Sequence, residues 1–162
     1  FGYDNIRPFF SRRIGLDNPI IGGFRLSGNI DEKWRIGLLD IQTQKDSKNK
    51  FAAENFGVFS LQRKVLDRSS IGMIFVNKQL LGGLENPNDN YSDYNRNFGL
   101  EYNYFSADNV WNGKLMYLKS FSPGVQEDDA VFASNLTYSN QYFTGSVQAE
   151  YVGKNFNAEK EI

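Results

Sequence analysis

Hydrophobic and polar residues alternate one by one along most of this chain, the period expected of β-strands with two unlike faces. Between 24 and 30, Phe24, Leu26, Gly28 and Ile30 fall on one side, and Arg25, Ser27 and Asn29 on the other. After Asp31-Glu32, Trp34, Ile36 and Leu38 oppose Arg35 and Gly37. The clearest run is 96–104, where Phe98, Leu100, Tyr102 and Tyr104 alternate with Asn97, Gly99, Glu101 and Asn103. Three more follow: Trp111, Gly113, Leu115 and Tyr117 against Asn112, Lys114 and Met116; Ala130, Phe132, Leu136 and Tyr138 against Asp129, Asn135 and Thr137; and Phe143, Val147, Ala149 and Tyr151 against Thr144, Ser146, Gln148 and Glu150. Segments 54–65 and 69–78 alternate less cleanly, yet their β-branched and aromatic content favours strands. No segment carries a helical period. The pattern predicts about eight antiparallel strands over 20–152, preceded by a loop or inward-folded segment over 1–19 and followed at 153–162 by the start of another connection.

The same alternation fits a soluble sheet or a lipid-facing barrel wall, and two features favour the barrel. The runs approach the roughly ten residues of a tilted membrane crossing, longer than the usual soluble strand of about five or six. The polar faces carry Arg25, Arg35, Glu101, Lys114 and Glu150 in mid-run, as a wet lumen allows. Trp34, Tyr102, Tyr104, Trp111, Tyr138 and Tyr151 stand near run ends, where interfacial aromatic girdles belong. A soluble calycin-like barrel that binds a ligand would invert this polarity, and the sequence does not distinguish inside from outside.

The connections alternate in length. Asp31-Glu32, Asp67-Arg68, Ala107-Asp108-Asn109 and Ser139-Asn140-Gln141 are short; Gln44–Lys50, Gln79–Asn95 and Ser122–Asp128 are longer. Outer-membrane barrels pair tight periplasmic turns with long outer loops. On that parity the first strand runs inward, so at least one strand is expected before Phe1, and the chain is expected to be an internal piece of a larger barrel. The Phe1 start without a signal peptide and the unpunctuated end at Ile162 fit the same expectation.

Composition narrows the chemistry. Hydrophobic residues make up 40%, charged residues 23% and aromatics 15%, with 15 Gly and a net charge of −1. There is no basic excess to neutralise nucleic-acid phosphates. With 0 Cys and 0 His, disulfides, thiol nucleophiles, zinc centres with nitrogen or sulfur ligands and His-based triads are excluded within the chain. No run approaches the eighteen or so apolar residues of a transmembrane helix.

Few motifs invite a chemical reading. Asn86–Asn97 is oxygen-rich, as a calcium loop would be, but lacks its acidic count and Gly spacing, and Asn, Asp and Pro make turns by themselves. Glu101 and Glu150 would suit a glycosidase pair only at a particular separation, and both fit an ordinary polar face. Asn135-Leu136-Thr137 matches a glycosylation sequon inside a predicted strand. Arg12 and Arg13, behind Phe9-Phe10-Ser11, are either solvated loop charges or partners for lumen carboxylates or an anionic ligand.

Phe9–Gly15, then Pro19-Ile20-Ile21-Gly22-Gly23-Phe24-Arg25-Leu26-Ser27-Gly28 and Ile36-Gly37-Leu38-Leu39-Asp40, resemble a family of uncharacterised Gram-negative outer-membrane β-barrels. The Asp-Arg-Ser-Ser-Ile-Gly core of Val65–Gly72 and Val152-Gly153-Lys154-Asn155-Phe156-Asn157 are similar to it too. Members join an N-terminal carbohydrate-binding module, like family nine of that class, to a large C-terminal barrel. The resemblance implies an early-to-middle barrel segment without the module, and carries over no catalytic residue or cofactor.

The expectation is therefore an all-β, antiparallel, up-and-down transmembrane β-barrel segment in a bacterial outer membrane, in contact with lipid and acting in transport or as a scaffold. Two other classes remain open. One is a plugged barrel that docks outer-membrane proteins or surface glycans through 79–95 and 122–128, with Tyr91, Tyr94 and Phe121. The other is a barrel enzyme, whose usual triad the missing His and Cys rule out within these residues. The candidate lumen or ligand contacts are Arg12, Arg13, Arg25, Arg35, Glu101, Lys114 and Glu150.

Overall fold

A computed structural model describes residues 1–3, 6, 8–9, 14–15, 18–45, 52–81, 92–125 and 127–158. It contains eight strands: β1 (Ile20–Asn29), β2 (Trp34–Thr43), β3 (Ala53–Val65), β4 (Ser69–Leu81), β5 (Tyr94–Phe105), β6 (Trp111–Phe121), β7 (Ala130–Ser139) and β8 (Thr144–Val152). They form one antiparallel sheet in the order β1-β2-β3-β4-β5-β6-β7-β8, each strand pairing with its neighbours in sequence. Among the described residues no ladder joins β1 to β8, so the up-and-down sheet is open, as part of a barrel would be. No described helix is long and apolar enough to cross a membrane, which says nothing about strands.

The short connections are built from side chains that replace backbone partners. At the β1–β2 turn, Asp31 Oδ1 accepts from the N–H groups of Lys33 and Trp34, both at 2.7 Å. At β7–β8, Asn140 Oδ1 accepts from those of Tyr142 and Phe143, both at 2.8 Å. At β5–β6, Asp108 Oδ1 accepts from the Val110 N–H at 3.1 Å, and Asn109 adopts φ 61°. These are the local Asx bonds that make Asp and Asn turn formers. The β3–β4 turn instead holds Leu66 at φ 54°, a left-handed conformation that costs a branched side chain about 1–2 kcal/mol.

One expected boundary moves. Residues 79–81 and 94–95, expected in a long loop, are strand, with Gln79 opposite Tyr94 and Lys78 opposite Asn95. Asn95 reads as a loop residue by type, but its buried amide donates to Ser122 Oγ at 2.8 Å and to the Asn157 carbonyl at 2.9 Å. Of the oxygen-rich Asn86–Asn97 stretch, 86–91 lie outside the described residues; Tyr94 onward is β5, and among the described residues no group of three acidic or other ligating side chains is placed to hold a metal.

The two faces of the sheet differ. One is open: Phe24, Leu26, Phe75, Leu100, Leu115, Phe132, Leu136 and Val147 all point from it and are exposed, Leu26 at 56% and Val147 at 75%. The other is covered by the chain's own termini. Met116, Leu118, Val131 and Ala133 form a buried cluster there, with Tyr3, Ile6 and Phe156 packed against it. On β3 and β4 both faces are apolar in mid-strand: Phe56, Val58, Ile74 and Val76 on the covered side, and Phe59, Leu61, Met73 and Phe75 on the open side. That double burden is why these two segments alternate poorly in sequence.

Candidate functional site

The covered face gathers most of the charged side chains of the sheet, in two regions of different character. Over β4–β6 the charges are paired. Lys78 and Glu54 meet at 3.2 Å, with both side chains only 4% exposed. Lys114 Nζ lies 3.0 Å from Glu101 Oε2. The Gly2 N–H donates to the same carboxylate oxygen at 2.8 Å, and the Asn103 amide to Oε1 at 2.7 Å. Lys114 also donates to the Gly2 carbonyl and sits 4.9 Å from the centre of the Tyr3 ring, whose hydroxyl donates to the Lys114 carbonyl at 2.9 Å. Burial, then the negative charges of Glu101 and Glu150, raise the Tyr3 phenol above its ordinary pKa. The N-terminal residues are thus fastened to the sheet by charge-assisted bonds as well as apolar contact.

The absence of a side chain at Gly99 allows this docking. A Cβ there would lie 2.6 Å from Leu118 Cδ2, 2.8 Å from Phe1 Cζ and 2.9 Å from Ile74 Cγ2. At the other end of the sheet the C-terminal residues fold back. The Gly153 N–H donates to the Ala130 carbonyl at 2.8 Å and the Asn157 N–H to Ser120 Oγ at 3.1 Å, which brings Phe156 onto the buried cluster.

Over β1 and β2 two arginines stand apart from these pairs. Arg25 stands opposite Leu39, and Arg35 opposite Asn29 and Gln62, both on the covered face and both exposed. Neither has a salt-bridge partner among the described residues. They line a cleft of about 680 Å³ with Ser27, Ser60 and Gln62, closed at one side by Phe1 and Phe9.

Of the residues singled out from sequence, Glu101 and Lys114 are brought together, Arg25 and Arg35 share the cleft, and Arg12 and Arg13 lie outside the described residues. Glu150 lies on β8 in a cross-strand row that runs Glu101, Met116, Ala133, Glu150. Two core residues separate the carboxylates, at rungs roughly 14 Å apart at ordinary strand spacing, and Glu101 is held by Lys114. Sequence reasoning missed the buried Glu54–Lys78 pair, because both charges sit among apolar neighbours, and missed Tyr3, whose role depends on a strand more than a hundred residues away.

The open face has its own margins. Toward the short turns, Trp34 lies under the Arg63 guanidinium at 5.0 Å, and Trp111 meets Tyr138 edge-on at 4.9 Å. Toward the long connections the face turns polar: Asn55 donates to Asp40 at 3.1 Å, Arg96 to Asn77 at 3.1 Å, and Lys119 to Asp129 at 2.7 Å. The apolar band is bounded on both sides.

No family model, curated protein or solved structure matches this chain.

Proposed function

We propose that this chain forms part of the wall of a bacterial outer-membrane β-barrel, serving transport or as a scaffold. Its open face meets lipid, and its covered face lines a lumen partly filled by its own terminal segments. One observation carries the reading: the exposed face is the apolar one. Phe24, Leu26, Leu100, Leu115, Phe132 and Val147 lie exposed in mid-strand, while Lys78, Glu101 and Lys114 lie on the covered side. In water this arrangement would forgo roughly 1.5–3 kcal/mol for each large side chain left unburied. It would also expose an apolar patch far beyond the few hundred Å² usual for a soluble monomer. Hydrocarbon removes that cost. Aromatic residues at one margin and polar pairs at the other suit the two interfaces of a bilayer.

The edges of β1 and β8, which no described strand pairs, belong to the same reading. Unpaired N–H and C=O groups are not tolerated in hydrocarbon, so other strands complete the ring. The buried cluster beneath Tyr3, Ile6 and Phe156 favours a constricted lumen over an open one, which keeps the scaffold and docking role beside transport. Any glycan handling implied by the family resemblance rests with residues outside this sheet.

The test is electrophoresis of the protein extracted from native membranes in mild detergent, with and without boiling. A folded outer-membrane barrel resists the detergent and changes mobility on heating. The reading expects that shift in a membrane-extracted band. A protein recovered from the aqueous fraction, with mobility indifferent to boiling, would overturn it.

A further inference from the structure

The covered face over β1–β3 carries a run of cations. Arg25 on β1, Arg35 on β2 and Lys64 on β3 share that face, and Arg68 follows in the β3–β4 turn. Two clefts join there, one of about 680 Å³ holding Arg25 and one of about 400 Å³ holding Lys64 and Arg68; Arg35 and Gln62 line both. The column runs from mid-sheet to the short-turn end. None of these four cations has a salt-bridge partner among the described residues, whereas Lys78 and Lys114 on the same face are both paired.

The nearby acids do not cancel the column. Asp31 and Glu32 lie at the turn-end rim beside Lys33, and the five described cations of the two clefts, Arg25, Lys33, Arg35, Lys64 and Arg68, outnumber these two acids. Glu101 lines the far wall of the larger cleft and is held by Lys114. The floor between the arginines is kept low and rich in donors. Gly37 lies there opposite Ser27 and Ser60, and a Cβ on Gly37 would come 2.5 Å from Ser60 Oγ.

We propose that this strip binds and guides anionic solutes bearing phosphate or carboxylate groups. Guanidinium forks match such oxyanions in geometry, the hydroxyls of Ser27 and Ser60 supply further donors, and a groove of one charge sign concentrates ions of the other. The proposal rests on the reading of the covered face as a lumen wall.

The test places one cysteine at Ser27, between the two arginines, in the full-length protein folded in detergent. It compares modification rates with methanethiosulfonate reagents carrying a sulfonate or a trimethylammonium group. The anionic reagent is expected to be favoured by about tenfold relative to free thiol, as a potential of slightly over one kT gives for reagents that differ by two unit charges. The bias should vanish in R25Q/R35Q and survive in R25K/R35K, which keeps the charge if the glutamine variant folds poorly. Millimolar pyrophosphate should slow the anionic reagent in the arginine-bearing protein and not in R25Q/R35Q. A rate ratio unchanged by R25Q/R35Q, or no protection by pyrophosphate, overturns the proposal. A cysteine at Leu26 that reacts freely while one at Ser27 stays silent would instead overturn the lumen assignment on which it rests.

Discussion

The β1–β2 hairpin and the β4–β7 stretch are made of the same alternating strands but differ in what lies on their covered face. All of β1 is exposed, and Arg25 and Arg35 stand over an open cleft. Over β4–β7 the same face is sealed by Phe1, Tyr3, Ile6 and Phe156; its charges are paired and Leu118 is 0% exposed. The contrast teaches that strand period decides which side chains share a face, whereas the burial of that face depends on segments distant in sequence. A charge in the sealed region contributes to holding the fold, and a charge in the open region is free to meet a solute.

Substitutions separate the two regions. Lys78→Met removes one member of a buried ion pair, the cation 3.2 Å from Glu54, and should destabilise the folded protein by about 3–5 kcal/mol. Arg25→Gln in the open region should stay within about 0.5 kcal/mol. Denaturant titration of the detergent-folded protein, followed by tryptophan fluorescence, measures both; similar costs would dissolve the distinction. Next in size, Leu118→Ala should cost about 2–5 kcal/mol by opening a cavity under the N-terminal segment, whereas exposed Leu115→Ala on the same strand should cost well under half as much. The reverse order would mean that the faces are assigned the wrong way round. Gly99→Ala should cost about 1–3 kcal/mol by crowding Phe1, Leu118 and Ile74. If the loss comes from undocking, proteolysis near Gly2 should accelerate in this variant, and an unchanged cleavage rate would count against the docked segment.

Much of the sheet was legible in the sequence because period two is a local signal. Phe98, Leu100 and Tyr102 against Asn97, Gly99 and Glu101 already describe the two faces of β5. What could not be read was which face is covered, since that depends on Gly2 reaching Glu101 and on Tyr3 reaching Lys114. Met116 illustrates the limit. By parity it belongs with Lys114 on the polar side, yet it is 1% exposed beneath the N-terminal segment. Arg25 and Arg35 stood out as mid-strand charges, but that no described residue pairs with them became visible only beside the pairs formed by Lys78 and Lys114.

The smallest expected effect is at the β1–β2 turn. Backbone hydrogen bonds from Lys33 and Trp34 hold the Asp31 carboxyl below its ordinary pKa. A lowered folded-state pKa means that this carboxylate's stabilisation is fully present above the unfolded value of about 3.9 and is lost as pH falls through the folded value. Asp31→Asn should flatten that acid limb while leaving stability near neutrality little changed. An acid limb identical in both proteins would show that Asp31 does not contribute to it.

The central claim, that the open apolar face meets lipid, is tested most directly by nitroxide labels placed one at a time from Thr144 to Tyr151 in the membrane-embedded protein. Both faces of β8 are largely exposed, so labels are tolerated there. Collision with oxygen, which concentrates in hydrocarbon, should peak at Gly145, Val147, Ala149 and Tyr151; collision with a water-soluble nickel chelate should peak at Thr144, Ser146, Gln148 and Glu150. Equal access of the nickel chelate to both sets, or the opposite phase, would contradict the account.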